Sequence, residues 1–156
     1  QHASQFPDCS KVVSRFVKLM PAGTNYHFSV QVERDRGGVE RLRDFLKREH
    51  HIEASIFEET RDISRMRDFY QRIDVVVSNR LHVLLLAAST GARVVAYVDQ
   101  MNQKISGLFT TIGRPDLLID GTNLESECPA NALRAVPIDG QSQRNALAEG
   151  IRQVFS

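Results

Sequence analysis

The residues best suited to chemistry lie in one short segment, 74–82, which reads DVVVSNRLH. Its three valines predict a buried β-strand, and Ser78 and Asn79 are residue types that cap the start of a helix. Arg80 and His82 then stand in the first turn of that helix. Residues two apart do not share a helix face, but in a first turn both side chains can lean over the edge of the sheet. There Arg80 can hold an anion bidentately, and His82 can transfer a proton near neutral pH.

Other loops that follow predicted strands supply further cations and donors. Ligands of open parallel sheets bind beyond the carboxyl ends of the strands, where loops meet helix N-termini. Arg34 and Arg36 follow the first predicted strand, and Gln103 and Lys104 lie in the loop that follows the fourth. Cations and free backbone N–H groups at such an edge favour an anion site, with phosphate or carboxylate as the ligand.

Several common catalytic and cofactor sites are excluded by their missing motifs. The first strand is not followed by G-x-G-x-x-G, and the chain has no P-loop, no H-E-x-x-H, no zinc-deaminase signature and no G-x-S-x-G. No His, Cys or carboxylate cluster has the spacing of a metal site. We therefore expect neither a metal nor a bound cofactor.

Length and composition indicate one ordinary globular domain. The chain has 156 residues, of which 42% are hydrophobic and 25% charged, with a net charge of +1. So small a net charge gives no general attraction to nucleic acid. No apolar run approaches the roughly 20 residues of a transmembrane helix. Cys9 and Cys128 lie far apart without a C-x-x-C pattern, which predicts free thiols in a reducing, cytoplasmic compartment.

The elements that must position these residues alternate along the chain. Hydrophobic spacing predicts strands at 26–32, 52–57, 73–77, 92–98 and 117–119, and helices at 39–48, 62–72, 81–88, 105–112 and 142–155. The third and fourth strands are continuously apolar, so we expect both of their faces to be covered. The apolar helix at 81–88 must also be buried. This order predicts a single α/β domain over residues 1–156, an open parallel sheet with helices on both faces, Rossmann-like.

The segment 74–83, continued by Ala87-Ala88 and 91–97, resembles the polysaccharide pyruvyl transferase family. That family carries an Asp, a hydrophobic strand, a small residue, any residue and then Arg-Leu-His. A buried helix ending in Gly, an apolar strand and a Lys-containing helix start follow, and Lys104 fits the last feature. The resemblance extends over about residues 26–115.

The resemblance implies an enzyme that transfers the enolpyruvyl unit of phosphoenolpyruvate to a saccharide acceptor, free or lipid-linked. The product is a pyruvate ketal, phosphate is lost, and exopolysaccharide biosynthesis is the setting. Phosphoenolpyruvate is then a co-substrate. The implied enzyme is cytoplasmic, either free or associated peripherally with the membrane. The implied fold has two facing halves like a GT-B glycosyltransferase. This chain is expected to be the C-terminal half, and the N-terminal half of the same enzyme is its missing partner.

Site residues carried over from the resemblance have distinct expected roles. Arg80 grips the phosphate or carboxylate of phosphoenolpyruvate, and His82 is the general acid. The family has a further arginine after an early strand, for which Arg34 and Arg36 are the nearest candidates. The remaining candidates for substrate binding are Ser78, Asn79, Gln103 and Lys104.

Two other functions stay open at the level of sequence. A glycosyltransferase or sugar-nucleotide epimerase half of the same architecture would use Glu58 or Glu59 to bind the nucleotide. A non-catalytic module that binds an anion or glycan gains support if His82 is buried away from the edge of the sheet.

Overall fold

The computed structural model of the chain describes residues 9–59, 61–98, 103–120 and 133. The chain divides into two compact units, Gln1–Met66 and Arg67–Ser156. The predicted helix at 142–155 lies outside the described residues. That residues 1–156 form one domain, the C-terminal half of a larger enzyme, stays a prediction.

The first unit is built around two parallel strands. Its elements are α1 (Ser10–Leu19), β1 (Tyr26–Ser29), a 3-10 turn (Glu33–Asp35), α2 (Arg36–His50), β2 (Ala54–Phe57) and the beginning of α3 (Ile63–Tyr70). Tyr26 of β1 lies opposite Ala54 of β2, and Ser29 lies opposite Phe57. Helix α2 packs against both strands. The carboxyl ends of β1 and β2 therefore face the same edge of this sheet.

The second unit contains the larger sheet. After α3 come β3 (Val75–Ser78), α4 (Leu81–Ser89), β4 (Arg93–Val98), α5 (Gln103–Thr111), a 3-10 turn (Pro115–Leu117) and β5 (Leu118–Asp120). The strand order is β3-β4-β5, and both pairs are parallel. Helices thus alternate with parallel strands in open sheets. The predicted α/β, Rossmann-like fold class is confirmed.

Helix α4 and strand β4 form the core of the second unit. Leu84, Ala87, Val94 and Val95 are fully buried, and five of the nine residues of α4 are buried. The prediction that the apolar helix at 81–88 is buried is therefore confirmed. Gly91 turns the chain from α4 into β4 with φ +87°, a left-handed conformation that favours glycine.

Strand β3 is less covered than its valine run predicts. Only Val76 is buried, whereas Val77 is 37% exposed. In the described three-stranded sheet β3 is an edge strand, whereas β4 is central and has four of its six residues buried. The expectation that both faces of β3 are covered is wrong because a run of valines does not distinguish an edge strand from a central one.

Two local differences concern the first unit. Helix α1 was not predicted, although Val12 and Phe16 stand four residues apart and are both buried. Helix α2 begins at Arg36, so Gly37 and Gly38 lie within its first turn rather than in a loop before it. The 3-10 turn ends at Asp35, directly before Arg36, so the helix starts earlier than the glycines indicate.

A buried arginine is held in the second unit by a neighbouring carboxylate. The side chain of Arg114 is only 10% exposed, and its Nε and Nη2 each donate to Asp116 at 3.0 Å. Its backbone N–H donates to the carbonyl oxygen of Phe109 at 2.8 Å, which closes the end of α5. The hydrogen bonds from Arg114 hold the pKa of the Asp116 carboxyl below its ordinary value. Because the ionised form is favoured in the folded chain, this pair stabilises the fold above the unfolded-state pKa.

We expect Asp116→Asn to lower the free energy of unfolding by about 1 kcal/mol at pH 7, an estimate that allows for solvent screening of a half-exposed carboxylate. The difference from wild type should stay constant down to about pH 5 and shrink below about pH 4, as Asp116 becomes protonated in both states. Urea unfolding of both proteins at pH 7, 5 and 3 measures this difference in the free energy of unfolding. Asp68→Asn, on the exposed face of α3, is the control, and its free energy of unfolding should stay close to that of wild type. A difference that is independent of pH would contradict the role of the ion pair.

Candidate active site

The junction between β3 and α4 is a tight turn built on a serine hydroxyl. Ser78 is the last residue of β3, and Arg80 is the N-cap of α4 in an extended conformation, φ −113° and ψ 118°. The backbone N–H of Arg80 donates to Oγ of Ser78 at 3.0 Å. The carbonyl oxygen of Arg80 accepts from Leu84 N–H at 3.1 Å and starts the helix. The prediction that Ser78 or Asn79 caps α4 is therefore wrong: Arg80 occupies the cap position, and Ser78 instead fixes the backbone of Arg80.

The two central candidate residues lie at the solvent-accessible start of this buried helix. Arg80 is half-buried, and His82 and Asn79 are exposed. The next three residues, Val83 to Leu85, are buried. Arg80 and His82 thus belong to the first turn of an element whose remainder is fixed by packing. His82 is not a histidine of the core.

Helix α5 begins at the same edge of the sheet as α4. Strands β3 and β4 are parallel neighbours, with Ser78 opposite Ala96, so the helices that follow them both begin beyond the carboxyl ends. Gln103 and Lys104 are the first two residues of α5, and both are exposed. The fold therefore places Gln103 and Lys104 at the edge that carries Arg80 and His82.

One carboxylate at this edge was missed by the sequence reasoning. Asp120 is the last residue of β5, opposite Val98, and is half-buried. A carboxylate at the carboxyl end of a parallel strand is a suitable acceptor for the hydroxyl groups of a ligand. The signal was present in the sequence, because Asp120 directly follows the predicted strand at 117–119.

The two early arginines belong to the first unit and differ sharply in their surroundings. Arg36 donates from Nε to Oε1 of Glu33 at 2.7 Å and from Nη1 to the carboxylate of Glu58. These contacts raise the pKa of Arg36 and lower that of Glu33. Arg34 is exposed, and its side chain forms no hydrogen bond or ion pair within the described residues. Of the two candidates, Arg34 is the one whose guanidinium is available to a ligand.

Comparison with known proteins identifies the family. The family model described as polysaccharide pyruvyl transferase matches residues 10–99, more than half of the chain. The chain belongs to the polysaccharide pyruvyl transferase family. No curated protein and no solved structure shows significant similarity to it. The matched range includes Arg34, Arg36 and 78–82, whereas Gln103 and Lys104 lie beyond it.

Membership of the pyruvyl transferase family indicates a transferase that acts on a saccharide acceptor. Within the part of the chain that the structure describes, no helix has the length and apolar character needed to cross a membrane.

We expect Ser78→Ala to loosen the turn that carries Arg80. Removing the hydroxyl leaves the half-buried N–H of Arg80 without its acceptor, which should cost about 1 kcal/mol of stability. Hydrogen exchange at the Arg80 amide should become faster, and Ser78→Asn, whose side-chain oxygen can accept the same bond, should restore protection.

The matched control for this substitution is Ser89→Ala at the other end of α4. There the hydroxyl donates to the carbonyl oxygen of Leu86 at 2.7 Å and lies away from the turn. Unchanged exchange at Arg80 in Ser78→Ala would show that this hydroxyl does not hold the turn.

Proposed function

We propose that this member of the pyruvyl transferase family transfers the enolpyruvyl unit of phosphoenolpyruvate to a saccharide, forming a pyruvate ketal. The observation that supports the proposal most directly is the first turn of α4. There a half-buried arginine, Arg80, and an exposed histidine, His82, begin a helix that packing holds in place. A fixed cation and a titratable imidazole at one edge are the two groups that this reaction needs.

Arg80 binds the anion in this proposal. Its guanidinium is charged at every physiological pH and matches the geometry of phosphate or carboxylate. The positive end of the α4 dipole lies at the same place and adds to the attraction for an anion. Lys104, at the start of α5, adds a second positive charge at this edge. Together they favour a ligand that carries both phosphate and carboxylate.

His82 acts as the general acid. It donates a proton to the methylene carbon C3 of phosphoenolpyruvate, which becomes a methyl group and leaves an oxocarbenium-like centre at C2. One hydroxyl of the saccharide adds to C2 and loses its proton. The second hydroxyl then displaces phosphate from the same carbon and gives its proton to the departing phosphate, which completes the ketal. Histidine suits the first step because it is the side chain that most often serves as a general acid.

The two alternative functions receive less support from the described contacts. Glu58 forms an ion pair with Arg36, and Glu59 forms one with Arg65. Both carboxylates proposed for nucleotide binding are therefore already engaged by arginines. A buried His82 would add support to a non-catalytic module, and His82 is exposed.

The wider setting belongs to the same proposal. The saccharide acceptor is free or lipid-linked, no cofactor takes part, and the enzyme works in the cytoplasm within exopolysaccharide biosynthesis. An N-terminal half of the same enzyme completes it. Gln103 and Asn79 are further substrate-binding residues, and both are exposed at the edge that carries Arg80.

We expect Arg80→Ala to weaken phosphoenolpyruvate binding by at least about 30-fold, because a charge-assisted bidentate contact is lost. His82→Ala should bind within about threefold of wild type, since a general acid contributes mainly to the transition state. Isothermal titration of the chain with phosphoenolpyruvate measures both. In the active enzyme with a saccharide acceptor, His82→Ala should slow phosphate release by about 10²–10⁴-fold.

Arg72→Ala and His27→Ala are the matched controls, since both residues are exposed. Arg72 precedes β3, at the end opposite α4, and His27 belongs to β1. Equal binding by wild type and Arg80→Ala would overturn the assignment of Arg80. Tight binding of a sugar nucleotide with none of phosphoenolpyruvate would overturn the proposed reaction.

A further inference from the structure

The carboxyl edge of the β1–β2 pair carries an ion-pair cluster, which we call the Arg36 latch: Arg36 with Glu33 and Glu58. Nε of Arg36 lies 2.7 Å from Oε1 of Glu33, and Nη2 lies 3.3 Å from Oε2 of the same carboxylate. Nη1 donates to the carboxylate of Glu58. Each guanidinium nitrogen of Arg36 therefore has a carboxylate partner.

The latch joins the segments that follow the two strands. Glu33 begins the 3-10 turn after β1, and Glu58 directly follows the last residue of β2. Arg36 is the first residue of α2, so one side chain connects the turn, the helix and the end of the neighbouring strand. An incoming anion would have to displace two carboxylates to reach Arg36. This argues against Arg36 as the residue that binds an anion.

Arg34 occupies a different position within the same turn. The residue before it, Glu33, is held by the latch, and the residue after it, Asp35, is only 5% exposed. The N–H of Asp35 donates to the carbonyl oxygen of Val32 at 2.9 Å. The backbone of Arg34 is therefore restrained on both sides, while its own side chain is exposed.

A single 3-10 turn is weak by itself and needs contacts to the rest of the fold to remain ordered. We propose that Arg36 is a positioning residue that acts through Glu33 and Glu58 to hold this turn and so present Arg34 to an anionic ligand. The identity of that ligand, phosphoenolpyruvate, rests on the proposed function. Holding the turn in advance lowers the entropy cost of ordering Arg34 when the ligand binds.

The test is a double-mutant cycle on phosphoenolpyruvate binding by the full chain. Arg34→Ala should weaken binding by about tenfold or more, because a charged hydrogen bond is lost. Arg36→Gln and Glu58→Gln should each weaken it by about three- to tenfold, as expected for a partly exposed ion-pair network. In the Arg34→Ala background, neither change should weaken binding further, because Arg36 acts only through Arg34.

A second measurement does not depend on the ligand. In the ligand-free chain, Arg36→Gln and Glu58→Gln should speed hydrogen exchange of residues 31–36 by about threefold or more. The matched control is Glu53→Gln, which removes the Lys47–Glu53 ion pair of 2.8 Å before β2 in the same unit. It should change neither the exchange of residues 31–36 nor the binding of phosphoenolpyruvate.

The possible outcomes distinguish a failure of the positioning role of Arg36 from a failure of the proposed function. Additive losses in the cycle would show that Arg36 contacts the ligand itself, and unchanged exchange in both variants would show that the turn needs no latch. Either result overturns the positioning role. If wild type binds no phosphoenolpyruvate, the proposed function fails, and the exchange of residues 31–36 alone decides whether Arg36 holds the turn.

Discussion

Burial of helix α4 against strands β3 and β4 is the constraint on which the candidate site depends. Leu84 and Ala87 are fully buried, and α4 contacts both strands. Burying a leucine side chain is worth about 1.5–3 kcal/mol, so several such residues leave α4 little freedom to shift or rotate. The first turn is the one part of this helix that reaches the carboxyl edge of the sheet. Arg80 and His82 thus owe their placement to the packing of other residues of α4.

Different interactions fix the turns that follow the strands in the two units. In the second unit, apolar packing and the hydroxyl of Ser78 fix the start of α4. In the first unit, α2 buries only Leu46 fully, and the turn before it is tied by the exposed ion pairs of Arg36. Ion pairs at the surface are screened by salt, whereas apolar burial is not. We therefore expect the 3-10 turn of the first unit to become more mobile as the salt concentration rises, and the start of α4 to be insensitive to salt.

Hydrophobic spacing was enough to predict the order of strands and helices from β1 to β5, because each element has an apolar side that must be covered. It could not predict which strand is central, since the valines of β3 and β4 look alike and only the pairing order separates them. Nor could it predict that carboxylates engage Arg36 while the side chain of Arg34 stays exposed. The spacing of Glu33 and Arg36 favours a local ion pair, but Glu58 joins it only through the parallel pairing of β1 with β2.

A general electrostatic rule explains why Arg80 stands out. The N-terminus of a helix carries a partial positive charge, so a cation there is unfavourable by a few tenths of a kcal/mol or more. Arg80 nevertheless occupies the N-cap of α4, beside the backbone N–H groups of the first turn. An anion bound at this point would interact favourably with the guanidinium and the N–H groups together. A position that breaks a local rule beside an open edge of the sheet is where functional residues are expected, because a bound anion would remove the local penalty.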